Sequence, residues 1–157
     1  MELDVIIEDE RWAAAGLEAL AQTACGAALA QCGVAAGELV VMGCDDARIA
    51  ALNTEFRDKP TPTNVLSWPS QERAADAPGG APSALLDVEL GDIAISYDTC
   101  AREAAAAQIS FSDHVVHLLV HGTLHLLGYD HIHEFDAALM EGVEVEILGK
   151  LGIKDPY

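Results

Sequence analysis

Eleven residues near the C-terminal end, H-G-T-L-H-L-L-G-Y-D-H from His121 to His131, hold the densest chemistry of this chain. His121 and His125 stand four apart, so a helix sets both imidazoles on one face. Gly128 suits the left-handed conformation that ends a helix and turns the chain back. The reversal offers His131 to the same point in space. Three neutral imidazoles around one divalent cation leave a fourth position open for water, which is the ligand count of a catalytic zinc site rather than a structural one. The spacing therefore predicts a hydrolytic centre with metal ligands His121, His125 and His131.

The same offsets occur in the metzincin pattern H-E-x-x-H-x-x-G-x-x-H. There the Glu after the first His is the general base for peptide hydrolysis. Here that position is Gly122, which can neither take nor give a proton. Either another group supplies the base or the substrate is not a peptide. A metzincin-like metalloprotease is the alternative that Gly122 argues against.

Other polar residues compete for roles. His114 and His117 fall on the same helical stripe, and His117 with His121 is also an i, i+4 pair. Only His121 with His125 has the glycine and a third histidine at the right offsets. His114 then reads as a surface residue at the helix entry, and His117 as a hydrogen-bonded neighbour behind a ligand. His133 reads as a surface residue. Arg57 reads either as a surface arginine holding a carboxylate such as Asp58, or as a fork for a phosphate oxygen. On the sequence alone the first is favoured. Tyr129 is core packing or a substrate-side hydroxyl; Asp130 caps a turn or orients an imidazole. The run E-G-V-E-V-E, Glu141 to Glu146, reads as the wet face of a final helix, with no chemistry assigned.

The elements that must position these residues follow from local patterns. Leu3 to Glu8 reads as a strand, Arg11 to Gln31 as one long Ala- and Leu-rich helix, and Glu38 to Cys44 as a second strand. Asp45 or Asp46 caps a helix to about Phe56. Arg57 to Asn64 is a proline-constrained loop, and Val65 to Trp68 a short strand stopped by Pro69. Gln71 to Ala84 reads as an Ala-, Pro- and Gly-rich loop. Leu86 to Ser96 is a fourth strand with Gly91 as a bulge. Tyr97 to Gln108 is a helix, and Ser112 or Asp113 caps the histidine helix. Glu134 to Leu151 is a final helix whose apolar residues run Phe135, Leu139, Val143, Ile147, Leu151. The histidine helix is apolar nearly all round, so it is central and packs on the sheet. Short strands with four or five helices, without strict βαβ alternation, argue an α+β fold.

A chain of 157 residues suits a single domain, 1–157. The absence of a long apolar run or a signal-like start predicts a cytoplasmic protein with no membrane segment. The four cysteines form no C-x-x-C pair and read as buried thiols. The net charge of −18, with only eight Lys and Arg, repels polyanions at long range. Any contact with phosphate must be local.

The signature His121 to His131 resembles that of the YbeY family, the bacterial rRNA maturation factors. L-N-T-E-F-R, then P-T-N-V-L-S-W-P, and L-G-D-I-A-I-S before the central helix extend the likeness from about Val5 onward. The resemblance implies a small metalloprotein, monomeric or weakly associated, with a sheet of about four strands among the helices. It implies a zinc-dependent, single-strand-specific endoribonuclease with one zinc ion per chain, acting in 16S rRNA 3′-end maturation and ribosome quality control. It carries the metal ligands onto His121, His125 and His131, and a functional arginine onto Arg57, which raises that residue above its surface reading. Implied partners are single-stranded rRNA, the small ribosomal subunit and its assembly factors. A remaining alternative is a non-catalytic ribosome assembly factor whose zinc only fastens the central helix. The acidity suits delivery to RNA by a partner whose basic surface complements it.

Overall fold

The computed structural model describes residues 1–70, 89–130 and 133–157. The expected loop Gln71 to Ala84, the first residues of the expected fourth strand, and His131 lie outside the described residues.

The elements run β1 (Glu2–Ile7), α1 (Arg11–Ala15), α2 (Leu17–Gln31), β2 (Glu38–Cys44), α3 (Asp46–Arg57), β3 (Val65–Pro69), β4 (Glu89–Ser96), α4 (Tyr97–Ala107), α5 (Phe111–Leu126) and α6 (Glu134–Lys150). The four strands form one sheet in the order β1-β2-β4-β3. β1, β2 and β4 are parallel, and β3 is an antiparallel edge strand on β4. The architecture is α+β with a mixed sheet, as expected.

Alternation along the strands decides the layers. Leu39, Val41, Ile93 and Ile95 are buried in one core with α2 and α5, where Leu119, Leu124 and Leu126 of α5 are fully enclosed. α5 is buried along most of its length, so the central helix is where its sequence puts it. The opposite face carries a smaller cluster in which Ile49 and Leu52 of α3 meet Leu66 and Ala94. Each enclosed aliphatic side chain contributes roughly 1.5–3 kcal/mol relative to exposure.

One expected helix is two. Gly16 takes φ +76° and its N–H bonds back to the Ala13 carbonyl, so Arg11–Gln31 breaks after one turn and restarts at Leu17. Glycine tolerates that conformation, and Ala- and Leu-rich flanks hid the break. In β4, Gly91 stands at φ +138°, where the register with β2 slips between Glu38 and Leu39. An added Cβ there would lie 2.0 Å from the Trp68 carbonyl oxygen of β3. The predicted bulge is thus a close approach that lets the edge strand pair.

Asp45 caps α3, accepting from the Arg48 N–H at 2.9 Å. Asp46 ties α3 to α4: its carboxylate accepts from Ser96 at 2.7 Å, Thr99 at 2.6 Å and Arg102 at 2.9 Å. Burial acts to raise this carboxyl, and the three donors outweigh it, so Asp46 titrates below the usual aspartate range.

Two outcomes follow. Gly91→Ala should cost at least about 2 kcal/mol in urea unfolding, since both the backbone angle and the space oppose a side chain. Asp46 has a depressed pKa in the fold, so its stabilisation is full above the ordinary carboxylate range and lost as pH falls below it. Asp46→Asn should accordingly flatten the decline of stability between about pH 5 and pH 3, read by denaturant midpoints.

Candidate active site

The histidines are set by the two ends of α5. At its start Ser110, not Ser112 or Asp113, is the cap: its hydroxyl accepts from the Asp113 N–H at 3.3 Å. Phe111 already has helical geometry, so the expected caps fall one and two residues inside the first turn. At its end Gly128 stands at φ +103°. The Gly128 N–H bonds to the His125 carbonyl and the Tyr129 N–H to the Leu124 carbonyl, both at 3.0 Å, which is a Schellman closure. The turn carries the Tyr129 carbonyl back to His125 Nδ1 at 2.9 Å.

A carbonyl only accepts, so His125 Nδ1 must hold the proton and Nε2 presents its lone pair. His121 is fixed the same way from another element. Its Nδ1 makes a short hydrogen bond with Glu144 of α6, whose side chain is fully buried. The two Nε2 atoms then face one another at 3.0 Å. With both Nδ1 atoms turned to acceptors, a shared proton or a metal ion can lie between the two Nε2 atoms at that separation. The donor set therefore fits a divalent metal of the type that imidazoles hold.

Glu144 corrects the reading of Glu141 to Glu146 as a wet face. The buried stripe of α6 is Met140, Glu144, Ile147 and Leu148, while Phe135 at 69% exposure lies off it. Glu144 also accepts from the Tyr157 hydroxyl, and His117 Nε2 lies 3.5 Å from its second oxygen. Burial pushes this carboxyl up, but hydrogen bonds from His117 and His121 reverse the balance and hold it at about 2. It is an anion at neutral pH. The signal for it was in the phase of the helix: Glu144 is four residues from both Met140 and Leu148. His117 is a hydrogen-bonded neighbour, as read. His114 is not a free surface residue; it bonds Glu103 at 2.9 Å with only 13% of its side chain exposed.

His117, His121, His125 and Tyr157 line one wall of an open groove of about 600 Å³. The other wall is the C-terminal end of α3 with edge strand β3, and it brings Arg57 and Trp68 into the same groove as His121 and His125. Arg57 is the last residue of α3. The following Asp58 takes φ 55°, its N–H bonding to Thr54 at 3.1 Å. Buried Asn53 donates to the Thr61 carbonyl at 2.9 Å, which ties the proline loop to the helix. Arg57 makes no ion pair or hydrogen bond among the described residues, whereas Arg11, Arg48 and Arg102 are paired with carboxylates. Arg57 is exposed, as its surface reading expects, but it does not hold Asp58 or a carboxylate of the last helix. Its guanidinium is available to an incoming anion.

The remaining candidates sort plainly. A Cβ on Gly122 would lie 3.2 Å from Ile93 of β4, so the position where a protease carries its base faces the core. Tyr129 packs on the core with its hydroxyl toward Cys32, and Asp130 lines the groove. His133 is exposed at the start of α6. Cys25, Cys44 and Cys100 are buried, and burial pushes the first two thiols up to about 11 and about 12, which makes them inert. Among the described residues no group of three or more His, Cys, Asp or Glu side chains is arranged to hold a metal ion, and the expected third imidazole, His131, is not one of them.

Fold and groove define a small α+β protein in which two paired imidazoles share an open groove with an arginine beside edge strand β3. Residues 4–152 match the family Endoribonuclease YbeY. The chain is 62% identical over 164 residues to an Endoribonuclease YbeY of a Ruegeria species, covering 100% of this chain and 96% of that one. It is 59% identical over 155 residues to the Endoribonuclease YbeY of Paracoccus denitrificans, covering 99% and 89%. The solution structure of TM1509 from Thermotoga maritima shares the fold, with a TM-score of 0.59 at 20% identity over 96% of this chain and 91% of that one. The chain belongs to the YbeY family of endoribonucleases, hydrolases of phosphodiester bonds.

The carboxylate's role is open to direct test. Nitrogen-15 NMR should find both His121 and His125 protonated at Nδ1. Glu144→Leu should release that preference at His121 while leaving His125 unchanged, because only His121 leans on the carboxylate.

Proposed function

We propose that this chain is a zinc-dependent, single-strand-specific endoribonuclease, one hydrolase domain over residues 1–157, acting in 16S rRNA 3′-end maturation and ribosome quality control. The observation that carries the reading is the pair of Nε2 atoms 3.0 Å apart across a groove from an arginine that has no partner among the described residues. Membership of the YbeY family supports the RNA substrate. The proposed partners are the small ribosomal subunit and its assembly factors, met in the cytoplasm by a monomer or weak oligomer. No helix among the described residues is long and apolar enough to cross a membrane.

His121 and His125 would hold the zinc ion with His131. When bound, zinc supplies Lewis-acid activation of water and of a phosphoryl oxygen. The residues of the chain do the rest. Glu144 keeps the His121 proton on Nδ1 and makes Nε2 more basic; the Tyr129 carbonyl does the same for His125. Arg57 meets the charge that grows on the non-bridging oxygens, whether the attacking group is water or the neighbouring 2′-hydroxyl. The core-facing Gly122 leaves no place for a protease-type base, which favours a phosphodiester over a peptide.

His121→Ala or His125→Ala should strip zinc, read by metal analysis, and abolish cleavage of single-stranded RNA. Arg57→Ala should keep zinc and the fold but lose about 10²- to 10³-fold in kcat. A verified metal-free preparation that cuts RNA at the full rate would overturn the proposal.

A further inference from the structure

The groove has a second wall feature that neither metal nor phosphate explains. Phe56, beside Arg57 at the end of α3, is 56% exposed, while the other large apolar side chains of that helix, Ile49 and Leu52, are buried. Its ring stands edge-on to Trp68 of β3, with centroids 5.3 Å apart and an interplanar angle of 64°. Trp68 is itself held in the sheet, in register with Asp92. Both rings line the groove that contains His121 and His125. An exposed phenyl ring thus packs against Trp68 next to the arginine of the same groove.

Electrostatics gives such a ring a role. The chain carries a net charge of −18, and among the described residues lining the groove Arg57 is the only Lys or Arg. Counterion release from many phosphates cannot supply the affinity. Base stacking can, because every base has a π-face and the gain does not depend on fixed charge. A base inside a duplex is already covered on both faces, so a ring beside the phosphate site favours unpaired strands.

We infer that Phe56, braced by Trp68, is the stacking platform for an unpaired base next to the scissile phosphate, and that it sets the preference for single strands. This inference rests on the proposal that RNA is cleaved in this groove.

The test uses the zinc-loaded full chain and a short single-stranded RNA with one cut site, together with versions abasic at each flanking position. Phe56→Ala should raise KM about 5- to 100-fold, with kcat changed less than about threefold and with zinc content and Tm unaltered. Phe56→Tyr should restore KM. Phe56→Leu, which covers the sheet but has no ring face, should not. One abasic position should weaken the wild type to the level of Phe56→Ala, and the variant should lose nothing more on that RNA. Binding to all these RNAs should fall only shallowly with salt. An unchanged KM in Phe56→Ala, or full rescue by Phe56→Leu, overturns the inference while leaving the RNA-cleaving proposal intact. A wild-type protein that neither binds nor cuts RNA overturns that proposal, and this inference with it.

Discussion

A buried negative charge organises this molecule. Glu144 has no exposed surface, and an ionised carboxylate in that position is costly unless donors surround it. His121 and Tyr157 bond to it, and His117 lies within reach of its second oxygen. The carboxylate therefore holds α6 against α5 and, in the same contact, dictates which nitrogen of His121 faces the groove. Stability and chemistry share one interaction. The Tyr129 carbonyl does the equivalent for His125 through the turn at Gly128.

The groove owes its second wall to the way charge is distributed. An acidic surface consumes cations: Arg11 pairs with Asp9 and Asp98, Arg48 with Glu8, and Arg102 with Asp46. Arg57 escapes because the chain turns at Asp58 and the loop after it is pinned to α3 by Asn53. The Gly91 bulge sets β3 close to β4, which places Trp68 beside the end of α3. Two packing details outside the histidine helix thus decide what stands opposite it.

Much of this was legible in the sequence because it is local. The bounds of β2, the N-cap of α3, the bulge at Gly91 and the turn at Gly128 all depend on neighbours within a few residues. The errors were local too. Gly16 broke a run whose composition is helical throughout, and Ser110 rather than Ser112 or Asp113 capped α5, since several polar residues there are chemically able to do so. Glu144 was misplaced for a different reason. In E-G-V-E-V-E three carboxylates alternate with small or apolar residues, and only the phase fixed by Met140 and Leu148 separates the buried one from the exposed pair.

The sequence by itself determined that two imidazoles share a helical face and that a glycine reverses the chain after them, because helical periodicity and the left-handed turn are properties of a few consecutive residues. Only the tertiary structure decided that Glu144 orients His121, that Gly122 faces Ile93, and that Arg57 lines the groove without a carboxylate partner among the described residues. Those outcomes depend on which surfaces lose water when distant segments pack, and desolvation is not encoded in the spacing of any one segment.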